Sequence, residues 1–131
     1  MTLIVNFKQY GSAAALTATF GNKWLYIGRA NPHYSLEASP LANPYRLRDF
    51  GNQPGATLPH YRRHLWQRIQ VGDVTSLNAL QAIDEETVLV CWCDGACHGQ
   101  VVQAAAAWLR EARGGAKKHP LVQRGRVDMD R

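Results

Sequence analysis

All three cysteines of the chain fall in one nine-residue stretch, CWCDGACHG, from Cys91 to Gly99, and His98 stands among them. Three thiols and an imidazole form a common tetrahedral zinc set. The spacing is not a common one. C-x-C-x3-C-H lacks paired C-x2-C knuckles, and Cys97 and His98, adjacent in the chain, are expected to point apart. Cys91, Cys93 and Cys97 are therefore the expected zinc ligands, with His33, His60 or His64 as a distant fourth. The same residues admit a reactive-thiol reading. Cys97 and His98 stand where a helix should begin, and unpaired N–H groups there lower a thiol's pKa. His98 could then orient a substrate or move a proton, so Cys97 and His98 are the catalytic candidates. Packing is the third reading, with Cys91 and Cys93 as small buried residues of a reduced protein. Residue types alone leave the three open.

Two further segments carry polar groups suited to a ligand. YIGR, Tyr26 to Arg29, ends a strand in Gly28 and then Arg29. A glycine there permits close backbone approach, and the guanidinium lies at the strand's C-terminal edge. SPLANPYRL, Ser39 to Leu47, holds the turn signal Asn43-Pro44 followed by Arg46. Gly28, Arg29, Asn43 and Arg46 are the expected ligand-binding residues, with the two arginines and the helix start at His98 forming an anion clamp. Each pair also has a routine loop reading, because glycine and asparagine are ordinary turn residues. Arg62 and Arg63, beside Tyr61 and His64, suit phosphate contact but would equally serve as a solvated helix face.

The elements that must position these groups follow from periodicity. LIVNF (Leu3 to Phe7), KWLYI (Lys23 to Ile27) and TVLVCW (Thr87 to Trp92) are β-branched and apolar runs, hence strands, the last continuous enough to be central. Gly11 to Asn22 is open between loop and short helix. Arg29 to Pro59 holds five of the six prolines and reads as a long functional loop, packed down through Tyr34, Leu36, Leu41, Tyr45, Leu47 and Phe50. Pro59 fits the first turn of a helix over His60 to Val71, with Tyr61, Leu65 and Ile69 on one face. A shorter helix follows over Thr75 to Ile83. The Ala-rich stretch Gly99 to Ala112 reads as a helix facing the sheet through Val101, Val102, Ala105, Trp108 and Leu109, with Gly114-Gly115 ending it. Alternating strands and helices indicate an α/β sandwich.

Length and composition set the frame. The 131 residues make one domain, and 46% apolar content suffices for one core without disulfide staples. The expected division is a domain over 1–113 and a basic, mobile tail over 114–131. No long apolar run predicts a membrane span. Ser12 to Phe20 is too strand-flanked to be a signal sequence, and the clustered, odd cysteine count suits the cytoplasm. Net charge is +5, concentrated from Arg110 to Arg126, which gives a tail able to attract nucleic acid non-specifically.

Taken in order, Val5-Asn6, YIGR, SPLANPY, the Tyr61–Leu65 segment YRRHL and CWC…CH resemble the bacterial and phage family called domain of unknown function 4326, over about residues 3 to 110. The CH at a helix start is also distantly similar to the family numbered 488. The resemblance implies a small Rossmann-like three-layer α/β sandwich with a mostly parallel sheet, and polar motif residues lining one pocket. It implies no reaction. The expected function is binding of, or action on, a nucleotide, nucleobase or similar phosphate-bearing molecule in a strand-end pocket, by hydrolysis or group transfer, with zinc as the candidate cofactor. The alternative is a metal-stabilised nucleic-acid-binding accessory.

Overall fold

A computed structural model describes residues 3–92 and 97–118, with side chains as far as residue 112. The three expected strands are present as β1 (Leu3–Asn6), β2 (Trp24–Tyr26) and β3 (Val88–Cys91). They form one sheet in the order β1-β3-β2, and both pairings are parallel. β3 is central and all four of its residues are buried, as its continuous apolar run requires of a strand covered on both faces.

The pleat of β3 divides the core in two. Val88 and Val90 face a cluster with Val5, Phe7, Leu16 and Leu36 beneath α1 (Ala13–Phe20). Leu89 and Cys91 face the larger cluster, which contains Tyr61 and Leu65 from α2 (Leu58–Gln70), Leu80 from α3 (Val74–Gln81) and Val102, Ala105 and Ala106 from α4 (Gly99–Lys118). The result is a small α/β fold of three layers, thin on the α1 side. Among the described residues, no helix is long and apolar enough to cross a membrane.

Local chemistry sets the boundaries. Ser12 accepts the Ala15 N–H at 3.0 Å and caps α1, which settles the open 11–22 segment as a helix between Ser12 and Gly21, a glycine at φ 65°. Asp73 caps α3 by accepting the Ser76 N–H at 3.1 Å. α2 begins two residues earlier than its periodicity predicts, with Pro59 in its first turn.

Two expectations are corrected. α4 does not stop at Gly114-Gly115 but runs to Lys118. Each glycine costs a helix interior about 1 kcal/mol, which weakens it without ending it when good helix formers follow. Trp108 does not face the sheet; it is 49% exposed. Ala105 and Ala106 seat α4 close to β3, and the indole lies at the rim instead, edge-on to Trp66 at 5.1 Å. The remainder of the expected tail, 119–131, lies outside the described residues. The long loop from Arg29 to Pro59 does pack down through Leu36 and Leu41, while Tyr34 and Leu47 remain exposed.

Candidate functional site at the strand ends

The C-terminal ends of β2 and β3 and the start of α4 border a cleft of about 530 Å³. Open parallel sheets place ligands at this edge. Gly28, Arg29, Asn43 and His98, expected from sequence, all line it. Arg46 is exposed and does not line it, and neither Cys91 nor Cys97 reaches it. Cys93 lies outside the described residues.

Hydrogen bonds explain how four distant motifs reach one place. Arg29 donates from Nε to the Asn43 carbonyl at 2.8 Å and from Nη2 to the Tyr45 carbonyl at 2.6 Å. It therefore holds the Asn43–Tyr45 turn against the end of β2. Only two of a guanidinium's five donors are used in this way, so the group can still present charge to the cleft. Asn43 shapes the same turn from within. Its Oδ1 accepts the Tyr45 N–H at 2.9 Å, and its Nδ2 donates to Thr57 Oγ1 at 2.9 Å. The turn is thus tied across Pro44 and tethered to the residue before α2.

Tyr61 and His98 complete the frame from below. Tyr61, 1% exposed, donates its hydroxyl to the Leu41 carbonyl at 2.7 Å. Burial, and secondly the nearby Cys97, push its phenol well above the ordinary tyrosine range. His98 stands edge-on to the Tyr61 ring at 5.1 Å. Its Nε2 lies 2.7 Å from the Ile27 carbonyl. A carbonyl only accepts, so Nε2 donates to it, and in the neutral ring Nδ1 is then the acceptor nitrogen.

Gly28 lines the cleft, and its missing side chain also makes room within the chain itself. A Cβ there would lie 2.6 Å from Tyr26 Cζ and 2.8 Å from Cε1. The space is filled by the Tyr26 ring, whose hydroxyl donates to the Arg29 carbonyl at 2.6 Å. The close approach that the glycine permits is to Tyr26 of its own chain.

The cysteines form a separate buried feature beneath the cleft. Cys91 Sγ and Cys97 Sγ are 3.0 Å apart, and Cys97 Sγ accepts the Gly99 N–H at 3.3 Å. Cys97 Sγ also lies 4.0 Å from His98 Nδ1, so these adjacent side chains converge where the sequence argument has them diverge. The turn into α4 brings them to one side. A tetrahedral zinc bound at about 2.3 Å would hold two sulfurs roughly 3.8 Å apart, farther than this pair stands. No group of three metal-ligating side chains occurs among the described residues. His60 and His64 pack around the Tyr45 ring, at 5.7 and 6.1 Å, and His33 packs on Tyr34.

Several lining residues carry no expectation from sequence. Tyr26 and Trp92 read there only as strand apolars, yet both wall the cleft. Trp92 rests on Phe7 at 4.8 Å and Tyr34 at 5.4 Å, and its Nε1–H meets no acceptor among the described residues. Asn31 and Thr57 also line the cleft. Thr57 had a usable signal, a threonine two residues before Pro59 at a helix start, although its hydroxyl serves Asn43 instead of capping.

The family model described as "Domain of unknown function (DUF4326)" matches residues 14–108. No curated protein and no solved structure matches the chain. The matched span covers well over half the sequence and takes in every described residue that lines the cleft, from Tyr26 in YIGR to His98. The chain belongs to the DUF4326 family.

Proposed function

We propose that the protein binds a nucleotide, a nucleobase or a similar planar, phosphate-bearing small molecule in the strand-end cleft. The composition of the lining carries this reading. Three aromatic rings, Tyr26, Tyr45 and Trp92, stand with Arg29 and His98, and no carboxylate is among the described lining residues. Aromatic walls favour a flat ring, and a guanidinium without an acidic neighbour favours an anion. The volume suits a ligand of nucleotide size.

The chemical step attached to this reading is hydrolysis or group transfer at the base or sugar. His98 is the proton-carrying side chain at the cleft, and Nδ1 is the atom through which it would accept a proton. Cys97 acts on this step only by way of His98, because its sulfur lies below the lining.

Calorimetric titration with nucleosides and their monophosphates tests the proposal, with intrinsic tryptophan fluorescence reporting on Trp92. A monophosphate should bind more tightly than its nucleoside, and Trp92→Leu should weaken both. If no nucleoside or nucleotide binds at millimolar concentration, the reading fails.

A further inference from the structure

A second cleft, about 690 Å³, runs between α2 and the start of α4. Gly55 and Leu58 line both clefts, so the two adjoin at the segment leading into α2. Beyond this seam the second cleft presents Arg62, Arg63, Trp66 and Gln100. Both arginines are exposed, and the ion pairs found among the described residues, Lys23–Glu86 and Arg68–Asp73, involve neither. No carboxylate is among the described residues lining this cleft either.

The geometry points to a single-stranded nucleic acid as the occupant of the joined groove. One base sits in the strand-end cleft, the backbone crosses Gly55–Leu58, and the next nucleotides lie along Arg62, Arg63 and Trp66. This inference rests on the reading of the first cleft given above and extends its ligand from a mononucleotide to a strand.

Four considerations favour that occupant. A mononucleotide fills the first cleft and leaves two guanidiniums without an acidic partner among the described residues, beside the Trp66 indole, untouched. A strand supplies what both clefts ask for at regular spacing: flat rings for Tyr26, Trp92 and Trp66, and phosphates for Arg29, Arg62 and Arg63. A duplex does not suit the cleft, because its bases are stacked and paired and their faces are not free to meet aromatic side chains. The excess of basic over acidic side chains, 15 against 10, adds long-range attraction to the same partner.

The test is fluorescence anisotropy of the full chain with a labelled eight-nucleotide single-stranded DNA and RNA, across a salt series. Unlabelled mononucleotide and duplex serve as competitors. The strand should bind more tightly than the mononucleotide and should be displaced by it but not by duplex. Arg62→Ala/Arg63→Ala should weaken strand binding. It should also make the slope of log K against log salt shallower by about 1.4, at about 0.7 per phosphate on a single strand. Mononucleotide affinity should stay unchanged, which also shows that the variant folds. Trp66→Ala should weaken strand binding by roughly five- to a hundred-fold.

Two results separate this inference from the reading beneath it. If mononucleotide binds but the strand binds no more tightly, and the double arginine variant is indifferent, the joined groove is refuted and the strand-end cleft stands. If neither binds, both fall. Strand binding that ignores Trp92→Leu, or that duplex displaces equally well, also overturns the inference, because it would then arise from basic surface alone.

Discussion

Gly28→Ala separates two accounts of the YIGR segment. The sequence suggests a glycine kept small for a ligand, whereas the structure fills that space with the Tyr26 ring. Gly28 is not among the positive-φ glycines, so alanine can adopt its backbone conformation and the difficulty is steric alone. A Cβ 2.6 Å from Tyr26 Cζ forces the ring to swing out. That movement breaks the Tyr26–Arg29 hydrogen bond, worth about 1 kcal/mol net. It also disturbs the ring's packing on the α1 side of the sheet, at an overpacking cost of about 1–3 kcal/mol. Gly28→Ala should therefore destabilise by about 2–4 kcal/mol. With Tyr26→Ala already in place the obstacle is gone. The same substitution should then stabilise by about 0.4–1 kcal/mol, because alanine restricts the unfolded chain more than glycine does. The sign of the effect reverses between the two backgrounds. Urea unfolding followed by far-ultraviolet circular dichroism, on all four members of the cycle, measures the coupling. Equal destabilisation in both backgrounds would refute the steric account. Unchanged stability with lost ligand binding would restore the ligand-approach account.

Two further predictions concern the buried frame. Tyr61→Phe leaves the Leu41 carbonyl unpaired in the core and should cost about 1–3 kcal/mol near neutral pH. It should also change the alkaline limb of stability. The Tyr61 phenol is raised in the folded state, so its contribution is fully present below the ordinary tyrosine value of about 10 and declines as pH rises beyond it, because the unfolded chain ionises first. Urea midpoints between pH 9 and 11 should fall more steeply for the native protein than for Tyr61→Phe, and parallel slopes would count against the buried phenol. At the start of α4, Cys97→Ser keeps an acceptor for the Gly99 N–H, whereas Cys97→Ala leaves that buried donor unpaired. The alanine variant should be less stable by about 1–2 kcal/mol. Equal and larger losses in both, together with loss of one zinc mass in native mass spectrometry, would instead assign Cys97 to a metal.

The sequence reveals where the site is far better than how it is built, and the reason is physical. Strands and helices leave a periodic trace of side chains, so β3, α2 and the start of α4 are visible in TVLVCW, in Tyr61–Leu65–Ile69 and in the Ala-rich run. The placement of ligands at parallel strand ends then locates the cleft, and Gly28, Arg29, Asn43 and His98 do line it. What periodicity cannot show is a hydrogen bond to a backbone carbonyl, because a carbonyl has no residue identity. Arg29 acts on the carbonyls of residues 43 and 45, Tyr61 on that of 41, and His98 on that of 27. Arg29 and His98 look in sequence like ligand contacts and Tyr61 like core, yet each spends a donor on holding a distant stretch of main chain. Arg46 repeats the residue type of Arg29 but stays exposed, outside the cleft, and nothing in the spacing distinguishes the two. Tyr26 and Trp92 were hidden for the opposite reason, since an aromatic at a strand end reads as core until the topology shows which end of the sheet is open. The motif residues are therefore as much the scaffold of the cleft as its chemistry. A substitution at Arg29, Asn43, Tyr61 or His98 that abolishes binding identifies a ligand contact only if the stability of the variant is measured alongside.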